Sequence, residues 1–388
     1  MATRTNHLRK RGGHESGRVT YVELFFDLVF VFAVTQLSHG LLHHLTPLGA
    51  LETGLLMMAV WWVWIYTSWI TNWLDPERMP VRLMLFVLMA AGLVLSASIP
   101  TAFAARGASF AIAFVFMQVG RSLFMLWALK HHDSGNFRNF LRITVWLSVS
   151  GVFWIAGGFA DPHARLGLWA IAVAIEYASP AAGMWVPGLG RSTTADWQID
   201  GGHLAERCAL FVIIALGESV LVTGATFADM AWTTDAVAAF AVALTGSIAM
   251  WMVYFNVGAE RASRQIAHSD DPGRLARSGY TYLHILIVAG VIVSAVADEL
   301  VLSHPAGHTE PKALAVIVGA PALYLLGTAL FKRLTAPNVP LSHLVGLGLL
   351  AVLAIVGLSM PPLVLSAATS FCLVVVAFWE WASLKRRR

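Results

Sequence analysis

Two acidic residues, Glu23 and Asp27, stand near the start of the first long apolar stretch of the chain. They are four positions apart, so an α-helix carries both carboxylates on one face, which Val34 and Ser38 continue. At a rise of about 1.5 Å per residue, Asp27 lies roughly 7 Å inside the end of that helix. Carboxylates in an apolar helix are candidates for binding cations or exchanging protons.

A second group of ionisable residues opens the seventh apolar stretch. His203, Glu206 and Arg207 come first, and Glu218 lies roughly 18 Å deeper than Glu206 at the helical rise. Further candidates stand in four other apolar stretches, at Arg121, Glu176, His284 and Glu380. Such a side chain in a membrane-spanning helix costs several kcal/mol unless it is paired or hydrated. Each is therefore a candidate for transport or for an ion pair.

Some of these residues also have a purely structural interpretation. Glu23, Glu206 and Glu380 lie near the predicted membrane surface, where partial hydration lowers the cost of a charge, and Glu206 could cap a helix start. His284 stands alone on an apolar helix, where we expect a hydrogen-bonded packing residue.

The deeper residues favour a functional role. Asp27, Arg121, Glu176 and Glu218 all lie well inside their stretches. We expect Arg121 to pair with Asp27 or Glu176, because an unpaired guanidinium at that depth is too costly. Such a network could also serve only to hold helices together. Glu218 has no such structural explanation, and we expect it to act with Asp27 in coupling or ion permeation.

No metal or cofactor site is predicted. Cys208 and Cys372 stand in separate apolar stretches and form neither a disulfide framework nor a metal cage. Histidines at the opposite ends of the stretches lie in or beside loops without an obvious carboxylate, at His39, His43, His44, His304 and His308. No Walker, Rossmann, Ser-His-Asp or zinc-protease motif is present.

Long apolar helices must position these residues. Hydrophobic residues make up 57% of the 388 positions and charged residues 12%. Lipid cannot satisfy exposed backbone groups, so each stretch is expected to be helical. The sequence predicts an all-α polytopic membrane protein with twelve spans, at 22–41, 49–71, 81–103, 108–130, 140–159, 166–186, 204–226, 235–257, 280–302, 312–334, 343–359 and 363–382. The 15 tryptophans are interpreted mainly as an interfacial belt.

The two halves of the chain echo each other in order. Four pairs of segments correspond, at 61–64 and 251–254, 75–78 and 271–274, 91–97 and 289–295, and 176–179 and 380–383. Duplicated helical bundles are common in membrane transport proteins. We predict two parallel six-helix repeats, 22–186 and 203–384, joined by a linker at 187–202. A basic disordered tail at 1–21 and a basic tail at 385–388 flank them.

Basic residues give the expected orientation. Of the 26 Lys and Arg residues, 22 fall in the tails or connections on the side of the N-terminus, which the positive-inside rule places in the cytoplasm. Both termini and the linker are then cytoplasmic, in a bacterial inner membrane. The pI near 9.2 follows from this topology and from contact with anionic membrane lipids, so no nucleic acid partner is predicted. The first stretch carries Glu23 and Asp27 and lacks a cleavage site, which argues against a signal peptide.

Three segments are similar to a known family. Residues 21–39, beginning Tyr-Val-Glu-Leu-Phe-Phe-Asp, resemble the opening signature of the bacterial low temperature requirement A (LtrA) family. Residues 203–219 resemble its second signature, and residues 66–82 are in the same style. The resemblance implies an integral membrane protein and extends over nearly the whole chain. The family is named for growth at low temperature, and the resemblance implies no established activity.

The first stretch has a second resemblance. Residues 23–35 are similar to helix 1 of a potassium channel family of lysosomes and bacteria, which has a Phe-Ser-Asp signature and six-helix repeats. Phe25, Phe26 and Asp27 match that signature, with Phe26 in place of its serine. The seventh stretch has no such triplet, and its acidic residue is Glu218. This asymmetry suits a transporter at least as well as a pore formed by equivalent helices.

Three classes of function remain open. The first is a permeation protein for protons, monovalent cations or a small solute, with a secondary transporter favoured over a channel. The alternative is a membrane-embedded enzyme acting on lipid or an apolar substrate, for which His203 and Glu206 could act as acid and base but no nucleophile accompanies them. A receptor or scaffold would lack an extramembrane domain of useful size. The sequence does not specify the substrate or the oligomeric state.

Overall fold

The computed structural model describes residues 6–9, 18–197, 199–256, 266, 269, 271–334 and 338–385. Residues 1–5, 10–17 and 386–388 of the two predicted basic tails lie outside the described residues. Within the described residues the chain is helical and no strand forms, which confirms the predicted all-α class.

Twelve long helices account for nearly all of the described chain. Their bounds are α1 Tyr21–His43, α2 Pro47–Trp73, α3 Met79–Thr101, α4 Gly107–Leu129, α5 Ser134–Phe159, α6 Pro162–Ala181, α7 Gly201–Ala228, α8 Thr234–Phe255, α9 Pro272–Ser303, α10 Pro311–Leu334, α11 Leu341–Ser359 and α12 Pro362–Lys385. By length and composition, 11 of the helices in the described chain can cross a membrane. The exception is α6, which carries Arg165 and Glu176 and is therefore less apolar.

Several helices begin earlier than their apolar stretches, because polar caps set their starts. Asp133 accepts a hydrogen bond from the backbone of Asn136 and begins α5 six residues before the predicted span. Asp161 caps α6 in the same way, with Pro162 in the first turn. Asp271 caps the start of α9, again followed by a proline. The caps add polar turns that hydropathy alone does not include.

The described chain divides into two compact units. The first comprises Met1–Gly40, Leu48–Arg207 and Ile266–Arg277, and the second comprises Leu41–Pro47, Cys208–Gln265 and Ser278–Arg388. In the first unit α3 packs on α4, α4 on α5 and α5 on α6. In the second unit α9 packs on α10, α10 on α11 and α11 on α12, while α8 packs on α12.

Tryptophans fill the core of the first unit, and for these the interfacial-belt interpretation is wrong. Five are at most 2% exposed, namely Trp61, Trp62, Trp64, Trp154 and Trp169. The indole of Trp154 donates to Glu176 and the indole of Trp169 donates to the carbonyl of Trp154. A large aromatic side chain can be buried when its N–H has an acceptor inside the protein. Of these two acceptors, Glu176 is a candidate from the sequence, and the other is a backbone carbonyl.

In the second unit, glycines allow α9 and α10 to approach closely. A Cβ on Gly290 of α9 would lie 2.7 Å from the backbone nitrogen of Tyr324, and one on Gly327 of α10 would lie 2.9 Å from that of Ile287. Small residues at such crossings are a common feature of packed membrane helices. Two helices also contain π-helical turns, Phe116–Gly120 within α4 and Ala276–Leu283 within α9. These turns directly precede Arg121 and His284.

Candidate functional site

Two faces of α2 carry the polar contacts of the first unit. Trp64, Ser68 and Asn72 are spaced four residues apart and share one face, and Val63 and Thr67 share the adjacent one. All five residues are buried. The first face contacts the ionisable residues of α1 and of the start of α7, and the second contacts Arg121.

Asp27 of α1 forms a fully buried ion pair with Arg207 of α7. Arg207 Nη2 lies 2.9 Å from Asp27 Oδ1, and both side chains are 0% exposed. The indole of Trp64 donates to the same carboxylate oxygen at 2.8 Å. Arg207 Nη2 and Nε also contact Ser68 Oγ, at 3.3 and 3.4 Å. The guanidinium carbon lies 5.6 Å from the centre of the Trp64 ring, within range of a cation–π interaction.

One polar atom on each side of the Asp27–Arg207 pair has no hydrogen-bond partner in the described part of the chain. Asp27 Oδ2 and Arg207 Nη1 are both buried and form no hydrogen bond with any described residue. Leaving a buried donor or acceptor unsatisfied costs about 1–3 kcal/mol, and more for a charged group. A pair that served only to join two helices would be expected to satisfy these atoms. The arrangement leaves an oxygen that can accept a proton and a nitrogen that can donate a hydrogen bond.

Glu23 lies one helical turn before Asp27 and joins a second network. Its Oε2 accepts a hydrogen bond from Arg9 at 2.9 Å and also from the backbone and hydroxyl of Thr20. Its Oε1 lies 2.9 Å from Nε2 of His203 on α7. Both Glu23 and His203 are at most 1% exposed. The shared face predicted for Glu23 and Asp27 is therefore directed toward the start of α7.

The hydrogen bonds around His203 assign its tautomer. Asn72 Oδ1 accepts from the backbone nitrogen of Asp200, so its Nδ2 is the donor that lies 3.3 Å from His203 Nδ1. His203 Nδ1 is thus an acceptor, and Nε2 carries the hydrogen that is donated to Glu23, so the Nη2 atom of Arg9, which lies 3.2 Å from Nε2, does not also donate to it. Asn72 Nδ2 also donates to the carbonyl of Asp200, which ties the end of α2 to the start of α7. His203 has no free ring nitrogen for acid–base chemistry in this arrangement.

The predicted ion pair of Arg121 with Asp27 or Glu176 is wrong. Among the described residues Arg121 makes no ion pair, and its guanidinium donates to Thr67 Oγ1 at 2.7 Å, to the carbonyl of Val63 at 2.8 Å and to Gln118 Oε1. Asp27 is instead paired with Arg207. Neutral oxygens of α2 and α4 thus accept hydrogen bonds from both terminal nitrogens of the fully buried guanidinium. Its Nε forms no hydrogen bond with the described residues.

Glu176 is connected to Arg121 through an amide. Gln118 accepts from Arg121 and donates through Nε2 to Glu176 Oε2 at 3.3 Å. The other carboxylate oxygen of Glu176 accepts from Ser150 at 2.7 Å and from Trp154 at 3.0 Å. We refer to Arg121, Gln118 and Glu176 as the amide-bridged chain. It links α4 to α6 and is fully bonded at its acidic end.

Glu206 lies apart from these networks. It is exposed, and the hydrogen bond described for it comes from the backbone nitrogen of Val19, at 3.4 Å. Although it neighbours Arg207 in sequence, it points away because adjacent residues of a helix lie about 100° apart. Within the described residues no hydrogen bond or ion pair joins Glu206 to His203.

In the second unit His284 has both ring nitrogens bonded. Its Nδ1 lies 2.9 Å from the carbonyl of Gly279, within the π-helical turn, and its Nε2 lies 2.8 Å from the hydroxyl of Tyr254. The carbonyl can only accept, so Nδ1 carries the hydrogen and Nε2 accepts from Tyr254. This geometry is that of a neutral packing residue.

Glu218 is 4% exposed and makes no hydrogen bond or ion pair with the described residues. The residue after it, Ser219, donates to Asp298 Oδ2 of α9 at 3.3 Å. Asp298 is 7% exposed and was not singled out from the sequence. Asp298 is an ionisable residue inside an apolar helix, five residues before the helix ends. This is the property that identifies the other candidates.

Another network that the sequence did not predict surrounds Glu380 of α12. Lys332 Nζ of α10 lies 2.6 Å from Glu380 Oε2 and donates to the carbonyl of Val253 at 2.8 Å. His343 Nδ1 of α11 lies 3.4 Å from Glu380 Oε1. Among the residues that the structure describes, no group of three or more His, Cys, Asp or Glu side chains could hold a metal ion.

Comparisons with known proteins agree with the helical membrane architecture. The family model for the bacterial low temperature requirement A protein (LtrA) matches residues 18–378. An uncharacterized protein of Rhizobium meliloti (strain 1021) is 40% identical over 390 residues, which cover 100% of this chain and 95% of that protein. No solved structure matches the chain. The buried networks of α1 and α7 lie in the two segments that resembled the family signatures, and the chain belongs to the bacterial low temperature requirement A family.

Proposed function

We propose that this multi-pass membrane protein transports an ion or small solute across the bacterial cytoplasmic membrane as a secondary transporter. The observation that carries the proposal is the fully buried Asp27–Arg207 pair, in which Asp27 Oδ2 and Arg207 Nη1 form no hydrogen bond with the residues that the structure describes. Ionisable residues inside membrane helices are expensive and typically mark ion pathways or proton relays. An incompletely satisfied pair is a poor structural clamp and a suitable element for reversible protonation.

A coupling step follows from this geometry. A proton that adds to the free oxygen Oδ2 neutralises Asp27 and weakens its attraction to Arg207. Arg207 keeps its contact with Ser68 and can then donate to an anionic group of the solute in place of Asp27. Protonation and the contacts of Arg207 are thus linked, which is what coupling of a proton to a solute requires.

A transporter is better supported than a channel. A cation that passed along Asp27 would meet the guanidinium of Arg207, which repels cations. The enzyme alternative has less support, because Glu206 is exposed and both ring nitrogens of His203 are bonded. Glu218 remains the proposed second carboxylate, since it is buried and lacks a partner among the described residues.

The first prediction is that Asp27→Asn abolishes proton-linked flux. Purified protein would be placed in liposomes that contain a pH-sensitive dye, with an inward proton gradient and a panel of added ions and solutes. Wild-type protein should change the internal pH when the coupled species is present, and Asp27→Asn should not. Glu206→Gln is the matched control, because it also neutralises an acid but at an exposed position. If the rate of proton-linked flux in Asp27→Asn equals that of wild type, Asp27 does not carry the proton.

A double variant separates coupling from folding. If the pair only stabilises the fold, removing both charges in Asp27→Asn/Arg207→Gln should restore whatever the single variant loses. If Asp27 carries the proton, the double variant should regain stability in detergent and still lack proton-linked flux. Recovery of flux in the double variant would contradict the proposal.

A further inference from the structure

A small polar cavity lies within the second unit. Its volume is about 20 Å³, and it is lined by α8, α9, α10 and α12. Such a volume accommodates one occupant of the size of a water molecule. Oxygen-bearing side chains form much of the wall, with Asp298 and Ser294 from α9 and with Ser366, Thr369 and Ser370 from α12. We refer to it as the Asp298 cavity.

Two hydroxyl groups that line this cavity donate to backbone carbonyls. Thr369 donates to the carbonyl of Ser366 at 3.0 Å, and Ser370 donates to the carbonyl of Val242 at 3.4 Å. Ser219 donates to Asp298 itself at 3.3 Å. A hydroxyl that donates to a carbonyl keeps its lone pairs as acceptors. The hydroxyl oxygens of Thr369 and Ser370 therefore favour a positively charged occupant over a second acceptor.

Pro321 leaves one backbone carbonyl of α10 without its usual helical donor. It lies inside α10, and its nitrogen cannot donate to the carbonyl of Ile317 four residues earlier. Both residues line the cavity. Backbone carbonyls released by an interrupted helix are a recurrent source of ligands for monovalent cations in transporters.

The charge of Asp298 lacks a partner of opposite sign. It is 7% exposed, and no Lys, Arg or His of the described residues lies within ion-pair distance of it. A buried carboxylate needs a cation, a proton or several hydrogen bonds to offset its lost hydration, and Ser219 supplies one hydrogen bond. A single carboxylate balances a monovalent cation, whereas sites for divalent cations commonly contain more acidic ligands.

We propose that the Asp298 cavity binds one dehydrated monovalent cation of about the size of sodium. The carboxylate of Asp298 provides the charge, and the hydroxyls of Thr369 and Ser370 with the carbonyl of Ile317 provide neutral oxygen ligands. The small volume excludes a hydrated ion or a polyatomic solute. The site is distinct from the Asp27–Arg207 pair, and it is defined by binding, whether or not the protein transports the ion.

Binding of ²²Na⁺ to the purified full-length protein in detergent tests this proposal. Equilibrium dialysis in choline chloride should show saturable retention of about one sodium ion per chain, displaced by unlabelled sodium. Asp298→Asn should abolish retention. Glu299→Gln is the matched control, because it neutralises the adjacent acid, which does not line the cavity. Absence of retention by wild-type protein, or equal retention by Asp298→Asn, would show that the cavity holds water or a protonated acid and would overturn the proposal.

A second variant covers the case in which Asp298→Asn fails to fold. Thr369→Val preserves the shape of the side chain and removes one proposed ligand. It should raise the sodium concentration for half-saturation by about tenfold. The same sodium should raise the unfolding temperature of wild-type protein, with a smaller shift for Thr369→Val. Unchanged half-saturation in Thr369→Val, or displacement of sodium by calcium at equal concentration, would contradict the assignment.

Discussion

The two carboxylate oxygens of Asp27 differ in the hydrogen bonds that they accept. Its Oδ1 receives two donors, from Arg207 and Trp64, while Oδ2 receives none from the described residues. A neighbour one turn away, Glu23, has both oxygens bonded. Residues of the same type on one helix face thus have different surroundings. The difference is the reason for assigning the proton to Asp27 and a structural role to Glu23.

The sequence identifies the ionisable residues of α1 and α7 as candidates but does not indicate their partners. Glu23, Asp27, His203 and Arg207 were candidates because ionisable side chains in apolar helices are conspicuous. Their pairing depends on how α1, α2 and α7 pack, and no local pattern specifies that. Asp298 is also an ionisable residue inside an apolar helix, but it is not among the candidates named from the sequence.

Arg121 illustrates a different limit. The cost of an unpaired cation predicts a partner, and an acid is the obvious choice. The structure uses neutral oxygens of Thr67, Val63 and Gln118 instead. These residues look unremarkable in sequence, because a threonine or a backbone carbonyl becomes a ligand only through tertiary structure.

The second prediction is that Arg121→Ala lowers the free energy of unfolding by about 3 kcal/mol or more, because each buried acceptor that loses its donor costs about 1–3 kcal/mol. The change leaves Gln118 without its donor and removes three buried hydrogen bonds. Adding Asp27→Asn should not restore stability, since Asp27 is paired elsewhere, whereas adding Glu176→Gln should restore part of it. Thermal unfolding in detergent measures the effect, and Arg138→Ala, at an exposed site, is the control. Rescue by Asp27→Asn would show that the contacts of Arg121 are wrong.

At the scale of helices, the boundaries and existence of the elements were largely predictable. Apolar length predicts the long helices, because lipid requires long helical segments, although α6 is less apolar than the other eleven. The starts of α5, α6 and α9 were misplaced, since Asp133, Asp161 and Asp271 extend those helices into polar sequence. The π-helical turns of α4 and α9 have no signal in the hydropathy pattern.

The third prediction concerns the packing of α9 on α10. Gly327→Ala should lower the free energy of unfolding by about 1–3 kcal/mol, because the new methyl group would lie 2.9 Å from the backbone nitrogen of Ile287. Gly319→Ala on the same helix is the control, since no atom lies within 4 Å of its Cβ position. Chemical or thermal unfolding of both variants gives the comparison. Equal stability of the two would mean that α9 and α10 do not cross as closely as described.

At the scale of the whole chain, the predicted duplication stays a prediction, and one parallel supports it. Glu176 of α6 and Glu380 of α12 head the echoed segments, and each has a serine three residues later that donates to its carbonyl at 2.7 Å. Each carboxylate also receives side chains from the two preceding helices of its unit. The partners differ, with neutral groups around Glu176 and Lys332 beside Glu380. This is the pattern expected of related halves that have diverged in charge.

The fourth prediction is the orientation in the membrane. Arg191→Cys lies in the predicted cytoplasmic linker and His308→Cys lies in the connection between α9 and α10, and both positions are exposed. The two native cysteines are buried, so they contribute little background. A membrane-impermeant maleimide should label His308→Cys in intact cells, and Arg191→Cys only in inverted vesicles. Labelling of Arg191→Cys in intact cells would reverse the proposed orientation.

The order of synthesis gives the Asp27–Arg207 pair a further consequence. Both Glu23 and Asp27 bond to residues 180 positions later in the chain. At about 5–20 residues per second, a ribosome needs roughly 9–36 s to make that intervening length. During this time α1 is in the membrane, or at its entrance, and Asp27 lacks its cationic partner Arg207, whereas Arg9 and Thr20, which bond to Glu23, have already been made. The nascent first helix therefore depends on the insertion machinery or on water to shelter the charge of Asp27 until α7 emerges.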